Sequence, residues 1–564
     1  MKDAYHIVPM SYDDDGFPVW STPLTVSENT KRAIILAPPD HVIPIIFVPG
    51  IMGSNLKLVN RAKEINIDAG AIAWRPDAAG AKNATLSAAS RQLLLDPKNT
   101  MVDTRITTDG NNYVTPLTGM SLKCAESRGW GGIYWKSYGD IITYLDQKLN
   151  TPCFYDPMID KILTIQIFQE LIDTGIALPG QPMLKLCHAE VAHMSEYWYP
   201  IHAVGYNWLQ SNEDAGKYLA NEIRRIKAFY QTKLKHPGAC QKVILITHSM
   251  GGLVARAAVH PDMGDAAADV LGVIHGVMPA IGAAAAYKRM RTGFEHGEID
   301  WFSMGNITAE MGGQAVAGRN GRDVTAVLGH APGGLQLLPN KAYHPEGWLK
   351  MSGVENHAYV VPMEGNPYTS IYREKNKWWR LINLEWLDPA NKFKSDKDRS
   401  AWGSFDKALT QAEKFHEKLG HYYHPNTYAF HGADAQRHPS YGKVTWEKAG
   451  SMYQGNFSTV PNASTNANLM RNGHAFLRGD NATGIVAAKI DNAVLAFSMT
   501  KGSEAGDGTV PSISGAAPQR FAPACVRAQL AVTGIDHQGA YSTSHTTVMN
   551  FIAYSVCKIA KDAT

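Results

Sequence analysis

One junction restricts this chain more than any other. The segment V-I-L-I-T (243–247) runs straight into H-S-M-G-G (248–252) and the small-residue stretch 253–259. The first five residues are apolar or β-branched, the pattern of a strand buried on both faces of a parallel sheet. The glycines after it predict a sharp turn into a helix. A serine on such a turn stands above the sheet, and it becomes a nucleophile when a neighbouring base takes its proton. The turn is tight, so the G-x-S-x-G elbow wants small residues two before and two after the serine. Gly251 meets that need, whereas Thr247 stands where glycine is usual. The turn also sets the Met250 N–H at a helix amino terminus, suited to holding an oxyanion. The plain alternative for Ser249 is a capping serine in an ordinary β–α turn. The matching context on both sides favours the nucleophile.

The remaining apolar runs place this junction in a larger pattern. Residues 42–48 read as another strand buried on both faces, closed by the glycine turn P-G-I-M-G (49–53). Residues 201–208 predict a strand. A helix follows, with Ser211 and Asp214 in capping-box spacing and Leu219, Ile223, Ile226 and Tyr230 on one face. Residues 270–275 predict a further strand. Strands are also expected at 427–430 and 529–533, and a closing helix at 546–558. This alternation predicts a mostly parallel α/β sheet with right-handed crossovers. Between these segments lie two long stretches without the alternation, read as insertions. Residues 1–40 are polar and irregular and read as an arm. There is no internal repeat.

The acid and base that would serve Ser249 follow it in chain order. Asp507, in G-D-G-T-V-P (506–511), sits in a glycine-flanked loop that can turn its carboxylate towards a histidine; a D-G surface turn is the plain alternative. Two late histidines are candidate bases, His537 in G-I-D-H-Q-G and His545 in Y-S-T-S-H-T. His537 follows a predicted strand and is favoured. Asp536, its neighbour, is the weaker acid candidate because adjacent side chains rarely face each other. The loop after the first buried strand offers the second oxyanion donor, with Ile51 N–H as the natural choice beside Gly50.

Other chemistries have little support. His188 and His193 are five apart, about 140° round a helix, which is wrong for a zinc pair. His421 and His424 have no evident carboxylate partner, and Asp13, Asp14 and Asp15 lack the EF-hand spacing. No phosphate-binding or dinucleotide glycine motif is present, so neither a metal nor a cofactor is expected. The net charge of +3 from 54 basic and 51 acidic residues does not suggest a nucleic-acid-binding surface. The six cysteines contain no C-x-x-C pair, and most read as buried small hydrophobes. Residues 270–287 mimic a membrane span, but their glycines and proline fit a buried strand and turn better. Aromatic clusters at 130–135, 197–199 and 378–379 read mainly as core, with some available to line an apolar trough.

Several segments resemble, in order, the lecithin:cholesterol-acyltransferase-like and GPI-inositol-deacylase-like branch of the α/β-hydrolases. They are I-I-F-V-P-G-I-M-G-S-N-L (45–56), V-G-Y-N-W (204–208), V-I-L-I-T-H-S-M-G-G-L-V (243–254), G-G-L-Q-L-L-P (333–339), G-D-G-T-V-P (506–511) and G-I-D-H (534–537). The stretch I-H-G-V-M-P-A-I-G (274–282) is similar to bacterial members that include type VI secretion phospholipase effectors. The resemblance implies that Asp507 is the triad acid and that His537, 30 residues later, is the base.

The expected fold is thus an α/β-hydrolase with two cap insertions. The core is expected from residues 41–56, 197–282 and 420–564, and the caps from 57–196 and 283–419. The expected activity is serine lipase or esterase chemistry on fatty-acyl esters: Ser249, His537 and Asp507 as triad, Ile51 and Met250 as oxyanion donors, no cofactor. A phospholipase acting as an antibacterial type VI effector fits best. Its partners would be a phospholipid or other acyl ester, a membrane surface, an immunity protein and the secretion machinery, with no nucleic acid. The amino-terminal residues show no apolar Sec signal core, so the expected location is the producer's cytoplasm and then the target cell's periplasm. An acyltransferase, a general cytosolic carboxylesterase and a non-catalytic lipid-binding or interaction protein are the alternatives.

Overall fold

A computed structural model gives the architecture and describes residues 5–8, 10–21, 32–34, 39–76, 86–106, 120–150, 153–156, 161–178, 182–236, 238–294, 318, 320–354, 357–363, 365–393, 400–449, 475–490 and 493–563. Six strands make the central sheet: β1 (Ile45–Val48), β2 (Ile201–Ala203), β3 (Val243–His248), β4 (Val270–Gly276), β5 (Thr427–Gly432) and β6 (Val526–Val532). Their order is β2-β1-β3-β4-β5-β6, and every pairing is parallel. Every residue of β1, β3 and β4 is buried, as strands covered by helices on both faces must be. Along β1, Ile46 and Val48 enter one hydrophobic core while Ile45 and Phe47 enter the other. The predicted α/β-hydrolase-type sheet is therefore present, with its strands close to the expected positions.

The strand order reverses between β1 and β3, because β2 lies on the far side of β1. In open α/β sheets this switch point, at the carboxyl ends of the strands, is where loops diverge and leave a crevice. The loops after β1 and β3 are those that carry Gly50 and Ser249.

Helices α1 (Trp135–Leu149) and α5 (Thr546–Ala560) supply side chains to one core. Helices α2 (Asn212–Lys233) and α3 (Gly251–Val259) supply the other. On α2 the predicted face of Leu219, Ile223, Ile226 and Tyr230 is buried. Its capping differs from expectation. Ser211 Oγ accepts from Glu213 N–H at 3.2 Å, and Gln336, not Asp214, completes the cap. Gln336 Oε1 accepts from Asn212 N–H at 2.7 Å while its Nε2 donates to Ser211 Oγ at 2.9 Å. The G-G-L-Q-L-L-P segment thus ties the second insertion to the core.

Four expectations need correction. The run 42–48 is not one strand: Pro44 has no N–H to continue a ladder, so His41–Val42 pairs with Tyr197–Trp198 and β1 begins at Ile45. The strand expected over 201–208 stops at Ala203. The chain then turns so that Tyr206 N–H donates to Ser54 Oγ at 2.9 Å and Tyr206 OH to Pro49 O at 3.0 Å, bracing the loop after β1. The arm is not wholly irregular. Met10–Tyr12 and Pro18–Trp20 form a hairpin whose Phe17 ring packs on Trp198, Phe229 and Tyr230. Finally, the strands Val444–Lys448, Ala475–Asp480, Ile485–Ile490 and Ala493–Met499 do not join the core sheet. They build a second six-stranded sheet with Leu349–Val354 and His357–Val361, so this cap crosses the boundary expected at 419/420. A strand's own pattern does not say which sheet it will join. Helix α4 (Ala284–Thr292) pins this sheet: Arg291 Nη2 meets Asp480 Oδ2 at 2.6 Å, both side chains almost fully buried.

The first insertion is anchored by a second buried ion pair, Arg128 Nη1 to Asp146 Oδ1 at 3.0 Å. Arg128 also donates to Gly16 O in the hairpin loop, and Asp146 accepts from Ile201 N–H in β2. Substituting Asp146→Asn leaves a buried guanidinium without its counter-charge. The expected loss is about 3 to 5 kcal/mol of stability, read as a lower denaturant midpoint than the wild-type protein's.

Candidate active site

The β3–α3 turn carries the central residue. Ser249 has φ of 52°, a left-handed backbone that side chains disfavour, and its N–H is held by Gly276 O at 2.9 Å. Gly251 has to be glycine, since a Cβ there would lie 2.5 Å from the carbonyl oxygens of Val48 and Pro49. Thr247 fits where glycine is usual because its hydroxyl lies 3.0 Å from buried His275 Nδ1. Tyr541 OH donates to the Thr247 carbonyl at 2.7 Å.

Three predicted residues meet here. Ser249 Oγ is 2.9 Å from His537 Nε2, and His537 Nδ1 is 2.9 Å from Asp507 Oδ2. Asp507 Oδ1 accepts from Val510 N–H at 2.6 Å and Thr509 N–H at 3.0 Å, and the His537 amide donates to Asp507 O at 2.8 Å. Burial alone would push the Asp507 carboxyl up. The His537 imidazole, its hydrogen bond and the loop amides outweigh burial and hold it below the usual carboxylate range. Asp507 therefore stays ionised, and as an acceptor it leaves the other ring nitrogen of His537 facing Ser249.

Ser440 escapes sequence reasoning. It is buried, its hydroxyl accepts from Asp507 N–H at 3.2 Å and from Gly508 N–H at 2.9 Å, and it donates to Val510 O at 3.3 Å. No local pattern marks that serine. The other candidates do not join this hydrogen-bonded chain, although Asp536 lines the same cavity. Asp536 Oδ1 accepts from Gly539 N–H, and His545 leads into α5 with its amide on Ser542 O.

Among the described residues, neither Ile51 N–H nor Met250 N–H has an acceptor, and Met250 precedes the first turn of α3. The Gly50 amide is taken: it donates to Tyr138 OH at 3.3 Å. Met52, with φ of 63°, is held by Trp74 Nε1 on its carbonyl at 2.7 Å. This leaves Ile51 and Met250 as candidate donors to an oxyanion at Ser249.

A cavity of about 340 Å³ opens over Ser249 and His537. Met52, Trp74, Pro279, Met290, Phe294 and Leu337 contribute its apolar wall, and Arg289, His438 and Gln538 its polar rim. The apolar side comes from both insertions and the loops after β1 and β4. Of the aromatic clusters, Tyr134 reaches this cavity, while Trp130, Trp378 and Trp379 are core. Three of the histidines weighed as metal ligands have other partners: His193 bonds Glu196, the His421 ring stacks on Phe521 and His424 Nδ1 accepts from Asn426 N–H.

Comparison with known proteins agrees with the fold. Residues 208–287 match the family model of the PGAP1-like alpha/beta domain. The chain is also similar to a chain in the crystal structure of the Tle4–Tli4 complex, with a TM-score of 0.71 and 26% identity over 93% of this chain and 99% of that one. No curated protein matches by sequence. The matched family residues span β3, α3 and β4, the elements that form the serine turn.

Replacing Asp507 by Asn keeps the shape of the loop but offers His537 the wrong hydrogen-bonding partner. The expected result is a fall in ester-hydrolysis kcat of about 10⁴-fold with the fold intact, measured by steady-state kinetics beside a circular-dichroism melt.

Proposed function

We propose that this protein is a serine hydrolase of fatty-acyl esters, a phospholipase that acts as an antibacterial type VI effector. The carrying observation is the Ser249–His537–Asp507 chain of 2.9 Å contacts at the floor of a largely apolar cavity. Similarity along nearly the whole chain to Tle4, a type VI lipase effector held by its immunity protein Tli4, supports the lipase role and an immunity-type partner.

The proposed reaction uses the atoms in place. An acyl chain lies along the apolar wall and brings its ester carbonyl to Ser249 Oγ. His537 Nε2 takes the hydroxyl proton as Oγ bonds to the carbonyl carbon, and Asp507 stabilises the imidazolium. The carbonyl oxygen becomes an oxyanion held by Ile51 and Met250 N–H, each worth about 3 kcal/mol of barrier lowering. His537 returns the proton to the leaving alkoxide, and the C–O bond breaks to leave an acyl-enzyme. Water, deprotonated by the same imidazole, then releases the fatty acid and restores Ser249.

A polar group on the rim suits a phospholipid. Arg289 donates to Thr509 Oγ1 at 2.9 Å, two residues from Asp507, and lies 5.1 Å over the Phe294 ring. Its guanidinium can form charge-assisted bonds to a phosphodiester while the acyl chain occupies the apolar side. In the wider reading the protein acts on the membrane of a target cell's periplasm, reached from the producer's cytoplasm through the secretion machinery, and an immunity protein covers the cavity mouth.

The test is fatty-acid release from liposomes of defined phospholipids. Wild-type protein should release fatty acid and Ser249→Ala none; equal release by the two would overturn the reading. Arg289→Gln should lower kcat/KM on phospholipid relative to a neutral short-chain ester by about tenfold. An unchanged ratio would remove Arg289 from head-group recognition.

A further inference from the structure

The scheme above leaves one buried imidazole unused. His248, between Thr247 and Ser249, has its ring centroid 5.1 Å from that of His537. Its Nδ1 lies 2.8 Å from Tyr138 OH and its Nε2 lies 2.8 Å from the His537 carbonyl oxygen. Tyr138 OH also receives the Gly50 amide at 3.3 Å.

Protons can be arranged along this chain in one way. The Gly50 amide can only donate and the His537 carbonyl can only accept. Because the carbonyl needs the hydrogen of His248 Nε2, a neutral ring has only a lone pair on Nδ1, and the Tyr138 hydroxyl donates to it while its oxygen accepts from Gly50. Burial, reinforced by the neighbouring His537, brings the His248 pKa down to about 3, so the ring is neutral when this chain is formed.

We propose that Tyr138 and His248 are positioning residues for the reaction at Ser249: the one-way chain Gly50–Tyr138–His248–His537 seats the base. The main chain of His537 is held at both ends, its amide on Asp507 O and its carbonyl under His248 Nε2–H. Two imidazoles this close cannot both carry charge cheaply, and fixing His248 neutral leaves His537 to take the serine proton. The same chain occupies the Gly50 amide, so Ile51 is the donor left to the loop. Space is equally tight: a Cβ on Gly50 would lie 2.9 Å from His248 Nδ1 and 3.0 Å from Ser249 Cβ. Tyr138 belongs to α1 in the first insertion, so the seating of that insertion is passed through His248 to the base.

This inference rests on the serine-hydrolase reading, and the experiment separates the two. Full-length Tyr138→Phe, His248→Gln and His248→Leu are compared with wild type. The readouts are kcat and KM on 4-nitrophenyl butyrate, the rate of fluorophosphonate labelling at Ser249, and the melting temperature. His248→Leu should lower kcat and labelling by about tenfold to a hundredfold with KM changed by less than about twofold. His248→Gln, whose amide can still donate to the carbonyl, should recover most of the loss. Tyr138→Phe leaves His248 Nδ1 without its donor and should cost about tenfold in kcat. Wild-type kcat and labelling in Tyr138→Phe, or equal loss in His248→Gln and His248→Leu, would overturn the proposal. If His248→Leu does not fold, Tyr138→Phe decides it alone. Wild-type protein labelled anywhere but Ser249 would instead remove the serine-hydrolase reading, and this one with it.

Discussion

Ser249 is held at φ of 52°, where a residue with a side chain costs about 1 to 3 kcal/mol, so its surroundings must enforce the conformation. They do so from several sides. The Gly276 carbonyl receives its amide, Tyr541 holds the carbonyl before His248, and the Val48 and Pro49 carbonyls crowd Gly251 so closely that no side chain fits. These contacts come from β4, from the loop after β6 and from β1. The turn is therefore a product of the assembled sheet. The strand-order reversal between β1 and β3 explains why: two neighbouring strands end side by side, and their loops leave in different directions above the same point.

The insertions supply the site as well as covering it. The first brings Trp74, Tyr134 and Tyr138 to the cavity, and the second brings Arg289, Met290 and Leu337. Each is secured by a buried ion pair, Arg128 with Asp146 and Arg291 with Asp480. Such pairs give little net stability over well-packed apolar groups, but they tolerate few alternative arrangements. That property suits elements that must hold an apolar wall in fixed relation to a serine on another layer.

Much of the fold and the meeting of three side chains can be read from the sequence because their signals are local. Apolar β-branched runs mark β1, β3 and β4. The glycines around Ser249 and Asp507 mark backbone geometry that few other residues tolerate. What could not be read is what distance in sequence conceals. Tyr138 looks like any aromatic on an amphipathic helix, and Ser440 and Gln336 look like surface polar residues, yet each bonds to an element far away in the chain. The strands at 444–499 show the same limit: alternation reveals a strand and says nothing about the sheet it will complete. Pro44 and Tyr206 are different. A missing N–H and a bracing hydroxyl each end a strand that apolar character alone would have continued.

The order in which these groups occur has a consequence for the chain as it leaves the ribosome. Ser249 and its turn emerge early, whereas the carboxylate and the imidazole come from residues 507 and 537, and the second sheet needs strands as late as 499. A partly translated polypeptide therefore displays a serine with nothing to deprotonate it. Chemical competence arrives in one late step of synthesis, after both lids have their sequence in hand.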